Sequence, residues 1–391
     1  MGPTVTTRIR AVTRTAFVAL AVTACGNGGD GVSTPESTTS AGTETTIDTT
    51  SIDLGSVCPA TVVVQTDWYP QAEHGGIYEL LGDDYRVDPK RGSTRGSLAV
   101  RGTPTGVDLE IRAGGPFLES PVVTEMFLDD AITLGYVGTD VALARYAETP
   151  TLAVFNALSV NPQVILWNAE LHPTARTIAD IAGEVNAISV FGDRPFMRYF
   201  VAEGLVPQSK VDGNYKGSLL LATDDVAHQG FVTSEPYRYE TLESGPVQVA
   251  WELIHAAGWT SYPQNLAINQ LRLEELRPCL ERLVPLMQQA KVDFVESPDR
   301  TVATILDVVE RLATSWSQSR ELADYAVRVM LDEGIVANGE TTTFGDFESP
   351  RIDDFISLAL PILREQGLEI PAVTKDDVAT NEFLDATITL P

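Results

Sequence analysis

Basic residues are scarce in this chain: 27 lysines and arginines stand against 54 aspartates and glutamates over 391 residues, a formal net charge of −27. So acidic a surface repels phosphate backbones and anionic head groups, which argues against nucleic acid as a partner and against charge-driven docking on acidic lipid. Cysteine is scarcer still, at three, and histidine numbers four. Cys25, Cys58 and Cys279 are far apart, and His74, His172, His228 and His255 show no zinc-ligand spacing, so neither a structural zinc nor an iron cluster is indicated. H-E-x-x-H, G-x-S-x-G and G-K-[ST] are all missing, which removes the common metalloprotease, α/β-hydrolase and phosphate-loop signatures. The apolar run at 16–22 is too short to span a bilayer as a mature helix.

What is present begins with an address. Arg8, Arg10 and Arg14 precede that apolar run, and Val22-Thr23-Ala24-Cys25 then reads as a bacterial lipobox. The expectation is a lipoprotein signal peptide at 1–24, with Cys25 as the lipid-carrying first mature residue. Residues 25–56, rich in Gly, Ser, Thr and acids, form a flexible tether. The protein is then extracytoplasmic and lipid-anchored at the cell membrane, and its charge favours a soluble, monomeric surface. Outside the cytoplasm Cys58 and Cys279 could pair, although sequence does not place their Cα atoms within the few ångströms a disulfide requires.

Beyond the tether, 43% hydrophobic content is enough for two domains with ordinary cores. Apolar runs at 60–64, 107–112, 132–137 and 152–158 read as strands, alternating with helical stretches at 77–81, 121–128 and 141–146. The region 83–106 is a polar loop with a possible hairpin around 97–100. A second unit follows, with strands at 163–167, 187–191 and 226–232 and helices at 177–181 and 195–202. From 271 to 332 and again from 344 to 367, apolar residues recur at helical spacing. Alternating β and α implies parallel or mixed sheets with covered faces.

Between the first strand and the first helix lies Asp67-Trp68-Tyr69-Pro70-Gln71-Ala72-Glu73-His74-Gly75-Gly76-Ile77-Tyr78. Open α/β sheets place small-molecule sites at such strand ends. Trp68 and Tyr69 offer flat faces for a ring; Gln71 and His74 offer hydrogen-bonding groups. The stretch resembles the D-W-x-P-N-x-x-H-x-G-x-Y segment of the NMT1/THI5-like family, matching at Asp67, Trp68, Pro70, His74, Gly76 and Tyr78, with Gln71 in place of the usual Asn. That family includes lipid-anchored binding proteins for thiamine pyrimidine precursors and relatives that bind riboflavin, sulfonates or nitrate.

The resemblance implies a two-lobed periplasmic-binding-protein-like α/β fold (type II), with mixed sheets flanked by helices and a cleft between the lobes. The first lobe would comprise 57–157 and 243–391, the second 158–242, with crossings near 155–159 and 239–245. It also implies a solute-binding role for an ABC importer, with permease subunits as partners, a pyrimidine precursor as ligand and no cofactor. Riboflavin or a sulfonate- or nitrate-like anion is the alternative ligand. In the family's yeast-type synthases the resembling histidine is consumed and a lysine just upstream holds pyridoxal phosphate. Here 62–70 contains no lysine, so a synthase-like enzyme is the alternative and a non-enzyme the expectation.

Candidate ligand contacts all sit at strand ends. Trp68, Tyr69, Gln71, His74 and Thr139 belong to the first lobe, and Ser159 and Asn161 to the junction. Asp193, Arg194, Glu235 and Tyr237 belong to the second lobe. Glu235 lies in Thr-Ser-Glu-Pro-Tyr, which resembles the family's N-E-P segment, where an acid can accept hydrogen bonds from an aminopyrimidine. Each has a plainer reading as well: Glu235 as a solvated turn, Arg194 as a surface cation, Asp193 as a helix N-cap, and Thr139 as the cap of the helix after Gly138.

Overall fold

The computed structural model describes residues 52–215 and 225–391. The expected signal peptide, Cys25 and the tether up to residue 51 lie outside the described residues. Among the described residues, no helix is long and apolar enough to cross a membrane.

The first strand, β1 (Thr61–Gln65), has Val62, Val63 and Val64 almost wholly buried, as a strand flanked on both faces must be. After it come α1 (Gly75–Glu79), β2 (Arg86–Asp88), β3 (Ser93–Val100) and β4 (Thr103–Arg112). Arg101 and Gly102, both at positive φ, join β3 to β4 in a tight hairpin. The chain continues through α2 (Val122–Leu128), β5 (Ile132–Val137), α3 (Thr139–Arg145) and β6 (Thr151–Asn156). A second group holds β7 (Gln163–Asn168), α4 (Ile178–Glu184), β8 (Ala187–Ser189), α5 (Pro195–Ala202), β9 (Val211–Asp212), β10 (Val226–Phe231), α6 (Glu235–Glu240) and β11 (Val249–Leu253). Then β12 (Asn265–Asn269) leads into α7 (Leu273–Glu296), α8 (Asp299–Leu312), α9 (Arg320–Asp332), α10 (Ser349–Glu365) and α11 (Lys375–Val378).

These strands build two mixed sheets, ordered β2-β3-β4-β1-β5-β12-β6 and β11-β7-β10-β8-β9. β1 runs parallel to β4 and β5, whereas β12 runs antiparallel to β5 and β6. The mixed α/β architecture expected from the alternating pattern is therefore what forms: two sheets flanked by helices.

The second crossing differs from expectation. Residues after 243 were expected to return to the first lobe, but β11 pairs antiparallel with β7, Trp251 opposite Leu166. β11 takes the edge of β7 that β10 leaves open. The return therefore runs between β11 and β12, and the first crossing between β6 and β7. Asn161 in the first crossing donates to Ser261 Oγ in the second at 3.2 Å, both residues being buried. The helical pattern expected from 344 also begins late. Phe344 is buried and donates its backbone N–H to Ile388, and α10 starts only at Ser349.

Arg351 of α10 holds the second crossing. Its Nε donates to Thr260 O at 3.0 Å, its guanidinium carbon lies 3.7 Å from the Tyr262 ring centroid, and His255 Nδ1 is 3.4 Å from its Nη2. Burial, followed by the Arg351 charge, pushes His255 down to about 4. An unfolded histidine titrates near ~6.5, so between those values the unfolded chain binds the extra proton. The stability carried by neutral His255 is full above about 6.5 and is lost as pH falls towards about 4. Urea unfolding at pH 7, 5.5 and 4.5 will show the wild type losing stability relative to His255→Gln as pH drops; parallel losses in the two proteins would refute this.

Candidate functional site

The loop after β1 is shaped by two glycines. Gly114 N–H donates to Trp68 O at 2.9 Å, and a Cβ on Gly114 would come within 2.3 Å of the Asp67 carbonyl carbon. Gly115 turns at φ +62°, a conformation side chains rarely adopt, and lies in contact range of the Trp68 ring. The Trp68 side chain is 42% exposed. Beside it stands Trp316, from the loop between α8 and α9. Its indole N–H donates to Pro70 O at 3.1 Å and its ring meets Trp68 edge-on at 6.1 Å. The two indoles form an aromatic corner with apolar area and a preference for a planar guest.

Two acids from this loop complete the first wall. Asp67 receives His74 Nε2 at 2.8 Å and Gln264 Nε2 at 3.0 and 3.2 Å. Glu73 is buried, and its carboxylate accepts the Thr233 hydroxyl at 2.5 Å from beyond the end of β10, a contact that bridges the layers of the two sheets. Behind it, the buried Lys291 of α7 donates to Glu73 O at 2.9 Å. Burial pushes that ammonium down to about 8, with the Glu73 charge opposing the fall.

The second wall comes from the other sheet. Phe191, just past β8, stacks on Tyr215 at 3.9 Å, and the Arg194 guanidinium lies 5.8 Å from the Phe191 centroid. Gln163 starts β7, while Gln229, Gly230 and Phe231 end β10. Glu235 opens α6, and its Oε2 accepts Phe231 N–H at 2.7 Å. Gly230 makes space for that carboxylate, since a Cβ there would sit 3.0 Å from Glu235 Cγ. Burial raises the Glu235 carboxyl above the usual range, outweighing the Phe231 N–H bond and the Arg238 charge, and Glu73 adds to the rise. Together the walls enclose a cavity of about 400 Å³, within the roughly 300–1,000 Å³ usual for small-molecule sites.

Four of the expected contacts, Trp68, Gln71, Arg194 and Glu235, line this cavity. The others do not. Tyr69 turns inward and stacks on Trp316 at 5.3 Å. His74 has no exposed surface; it packs against Tyr136 and orients Asp67. Thr139 is buried and donates to Tyr262 O at 3.3 Å; its side chain does not cap α3, and it does not line the cavity. Ser159 donates to Ala337 O at 2.9 Å, and Asn161 joins the crossings. Asp193 pairs with Arg198 rather than capping α5. Tyr237 packs on Tyr325 with ring centroids 5.5 Å apart. For Thr139, Ser159, Asn161 and Tyr237 the neighbour is distant in sequence, whereas His74 and Asp193 are taken by residues seven and five positions away.

Sequence reasoning missed Trp316, Phe191, Tyr215, Gln163, Gln229 and Gln264 as cavity residues. Two carried a signal. Gln229 is a carboxamide inside an apolar strand, costly to bury unless paired, and Trp316 sits in a polar turn between helices, where an aromatic has no local packing role.

Cys58 and Cys279 are joined by a disulfide, with Cα atoms 4.6 Å apart. No cluster of three or more His, Cys, Asp or Glu able to hold a metal ion occurs among the described residues.

No protein-family model matches the chain, and no curated protein matches it. Solved structures do. The ligand-binding component of an ABC-type import system from Staphylococcus aureus, solved with zinc bound, is 10% identical at a TM-score of 0.50, over 82% of this chain and 97% of that one. An alkanesulfonate-binding protein from Xanthomonas axonopodis pv. citri bound to MOPS is 14% identical at a TM-score of 0.48, over 82% and 99%. A Candida albicans protein described as having the generic periplasmic binding protein fold is 11% identical at 0.45, over 84% and 98%. At such identities the likeness concerns architecture, and the chain has the periplasmic-binding-protein fold.

Proposed function

We propose that this chain is the lipid-anchored, extracytoplasmic solute-binding component of an ABC importer. Its cargo is a planar nitrogen heterocycle, best matched by a thiamine pyrimidine precursor of the hydroxymethylpyrimidine or formylaminopyrimidine type. Permease subunits are its partners. The observation that carries the reading is that Trp68, in the loop after β1, and Glu235, at the start of α6 beyond β10, line one cavity. A ring stacked at the Trp68–Trp316 corner gains ~0.5–1.5 kcal/mol beyond area burial, while the carboxylate orients it through charge-assisted hydrogen bonds from ring or amino N–H groups. Because the walls belong to different lobes, only a closed state engages both, so cargo favours closure.

An anionic cargo such as a sulfonate or nitrate is the second reading, favoured by Arg194, whose guanidinium lines the cavity. Against it stand Asp67, Glu73 and Glu235 in the same walls: an anion needs a surplus of donors and positive charge, and here carboxylates outnumber the cation. The synthase-like alternative needs an accessible histidine, whereas His74 is sealed and paired.

Thermal shift against 4-amino-5-hydroxymethyl-2-methylpyrimidine, its formylamino relative, riboflavin, taurine and nitrate tests the proposal. A ligand at 100 times its Kd adds ~2.7 kcal/mol. The pyrimidines are expected to raise Tm and the anions to leave it unchanged; the reverse pattern would overturn the reading, and chemical turnover of a binder would favour the enzyme.

A further inference from the structure

We infer that Gln163 is a specificity-determining residue that presents a fixed N–H donor to the cargo, and that Gln229 is the positioning residue that fixes it. The cargo must therefore carry an acceptor, a carbonyl oxygen or an unprotonated ring nitrogen, beside the N–H that meets Glu235. The inference rests on the small-molecule reading of the cavity and goes beyond it, by stating which edge of the cargo faces the second lobe.

The argument is one of donors and acceptors. Gln229 is 2% exposed, and one end of its carboxamide lies 3.1 Å from the Phe191 backbone N–H. A backbone N–H only donates, so that end is the oxygen. The other end is then the NH₂ group, which donates to Gln163 at 2.7 Å. The atom of Gln163 that receives it must be its oxygen. The amide orientation of Gln163 is thereby decided two bonds away from it, and its own NH₂ group is the end left over. That group has no protein partner among the described residues, and Gln163 lines the cavity. An isolated glutamine can flip and serve a donor or an acceptor equally well; this one cannot flip without setting two NH₂ groups against each other and losing a buried bond.

Glu235 is the acceptor to set beside it. Glu235 Oε2 accepts Phe231 N–H, and the carboxylate lines the cavity. Gln163 and Phe231 are directly opposite each other across β7 and β10, so the Gln163 donor and the Glu235 acceptor come from neighbouring strand ends. A cargo edge with an N–H next to an acceptor satisfies both at once. An edge with two donors leaves the Gln163 NH₂ facing another N–H; a carbocyclic edge leaves it unpaired.

The test compares 4-amino-5-hydroxymethyl-2-methylpyrimidine with its carbocyclic analogue, in which both ring nitrogens are CH and the amino donor is kept. Calorimetric titration of the wild type is expected to favour the pyrimidine by about tenfold or more. In Gln163→Leu that preference is expected to vanish. In Gln229→Leu it is expected to shrink several-fold, since the Gln163 amide is then free to turn, while thermal unfolding confirms that both variants are folded. A side-chain amide of purely structural use would change affinity for both compounds alike and leave their ratio intact. Full preference in Gln163→Leu would overturn the inference while leaving the receptor reading standing; full preference in Gln229→Leu alone would remove the positioning role. Wild-type protein that binds neither compound would remove the heterocycle reading and this inference together.

Discussion

Replacing Cys58 and Cys279 together by serine is expected to lower stability by about 2–5 kcal/mol and Tm by roughly 4–10 °C. The bridge joins residues 221 apart in sequence, and the entropy that a cross-link removes from the unfolded chain grows with the loop it closes. It also ties down the segment before β1, where Leu54 is buried in the core. Cys58 precedes β1, in a turn where its N–H donates to Leu54 O, and Cys279 lies buried on α7. Besides the bridge, Arg282 of α7 donates to Asp53 O at 2.8 Å and Leu54 N–H donates to Thr105 O at the same distance. Calorimetry of the double variant against the oxidised wild type measures the effect directly. Cargo affinity is expected to survive, because the cavity lies past the other end of β1. A Tm within a degree of wild type would show that the unfolded chain is already confined without the bridge.

Glu235→Gln is expected to weaken binding of a heterocyclic cargo about ten- to a hundredfold, the contribution of a hydrogen bond to a charged acceptor. The fold should not suffer. A glutamine oxygen can still accept Phe231 N–H, and the substitution removes a charge that burial disfavours. The raised carboxyl means that Glu235 contributes stability below its unfolded value near ~4.5, and that this is lost as pH rises through the folded value. At neutral pH the wild type therefore carries a desolvation cost that the variant lacks, and Tm should stay level or rise. Titration calorimetry and thermal unfolding on one preparation separate the two effects. If the cargo is an anion, the same substitution will tighten binding, so the sign of the change discriminates between the two ligand classes.

Much of the architecture was legible beforehand because its signals are local. Apolar runs of four to seven residues punctuated by Gly and Pro marked most strands, and Pro195 marked the start of α5. The pattern did not mark β3, β11 or β12; β11 is short and half-buried throughout, and nothing in 249–253 says which sheet edge it will find. Of the expected contacts, Trp68, Gln71, Arg194 and Glu235 line the cavity, because a strand end is an opening. His74, Thr139 and Asn161 stand at equivalent places, yet their polar groups are taken by Asp67, Tyr262 and Ser261. A strand end shows where a side chain can reach, but not what will reach it first.

Residue order alone therefore determined the alternation of strands and helices, the aromatic and carboxamide stretch after β1, and the acidity that disfavours phosphate partners. Each follows from short-range periodicity or from composition. Tertiary structure decided the rest. It brought Trp316 to Pro70 across 246 residues, closed Cys58 on Cys279, and set Glu73 against Thr233 from the opposite layer. It also turned Gln229 so that only one face of Gln163 is offered to the cavity. Contacts of that span depend on how two sheets and the helices over them pack, and many sequences with the same local pattern would pack them differently.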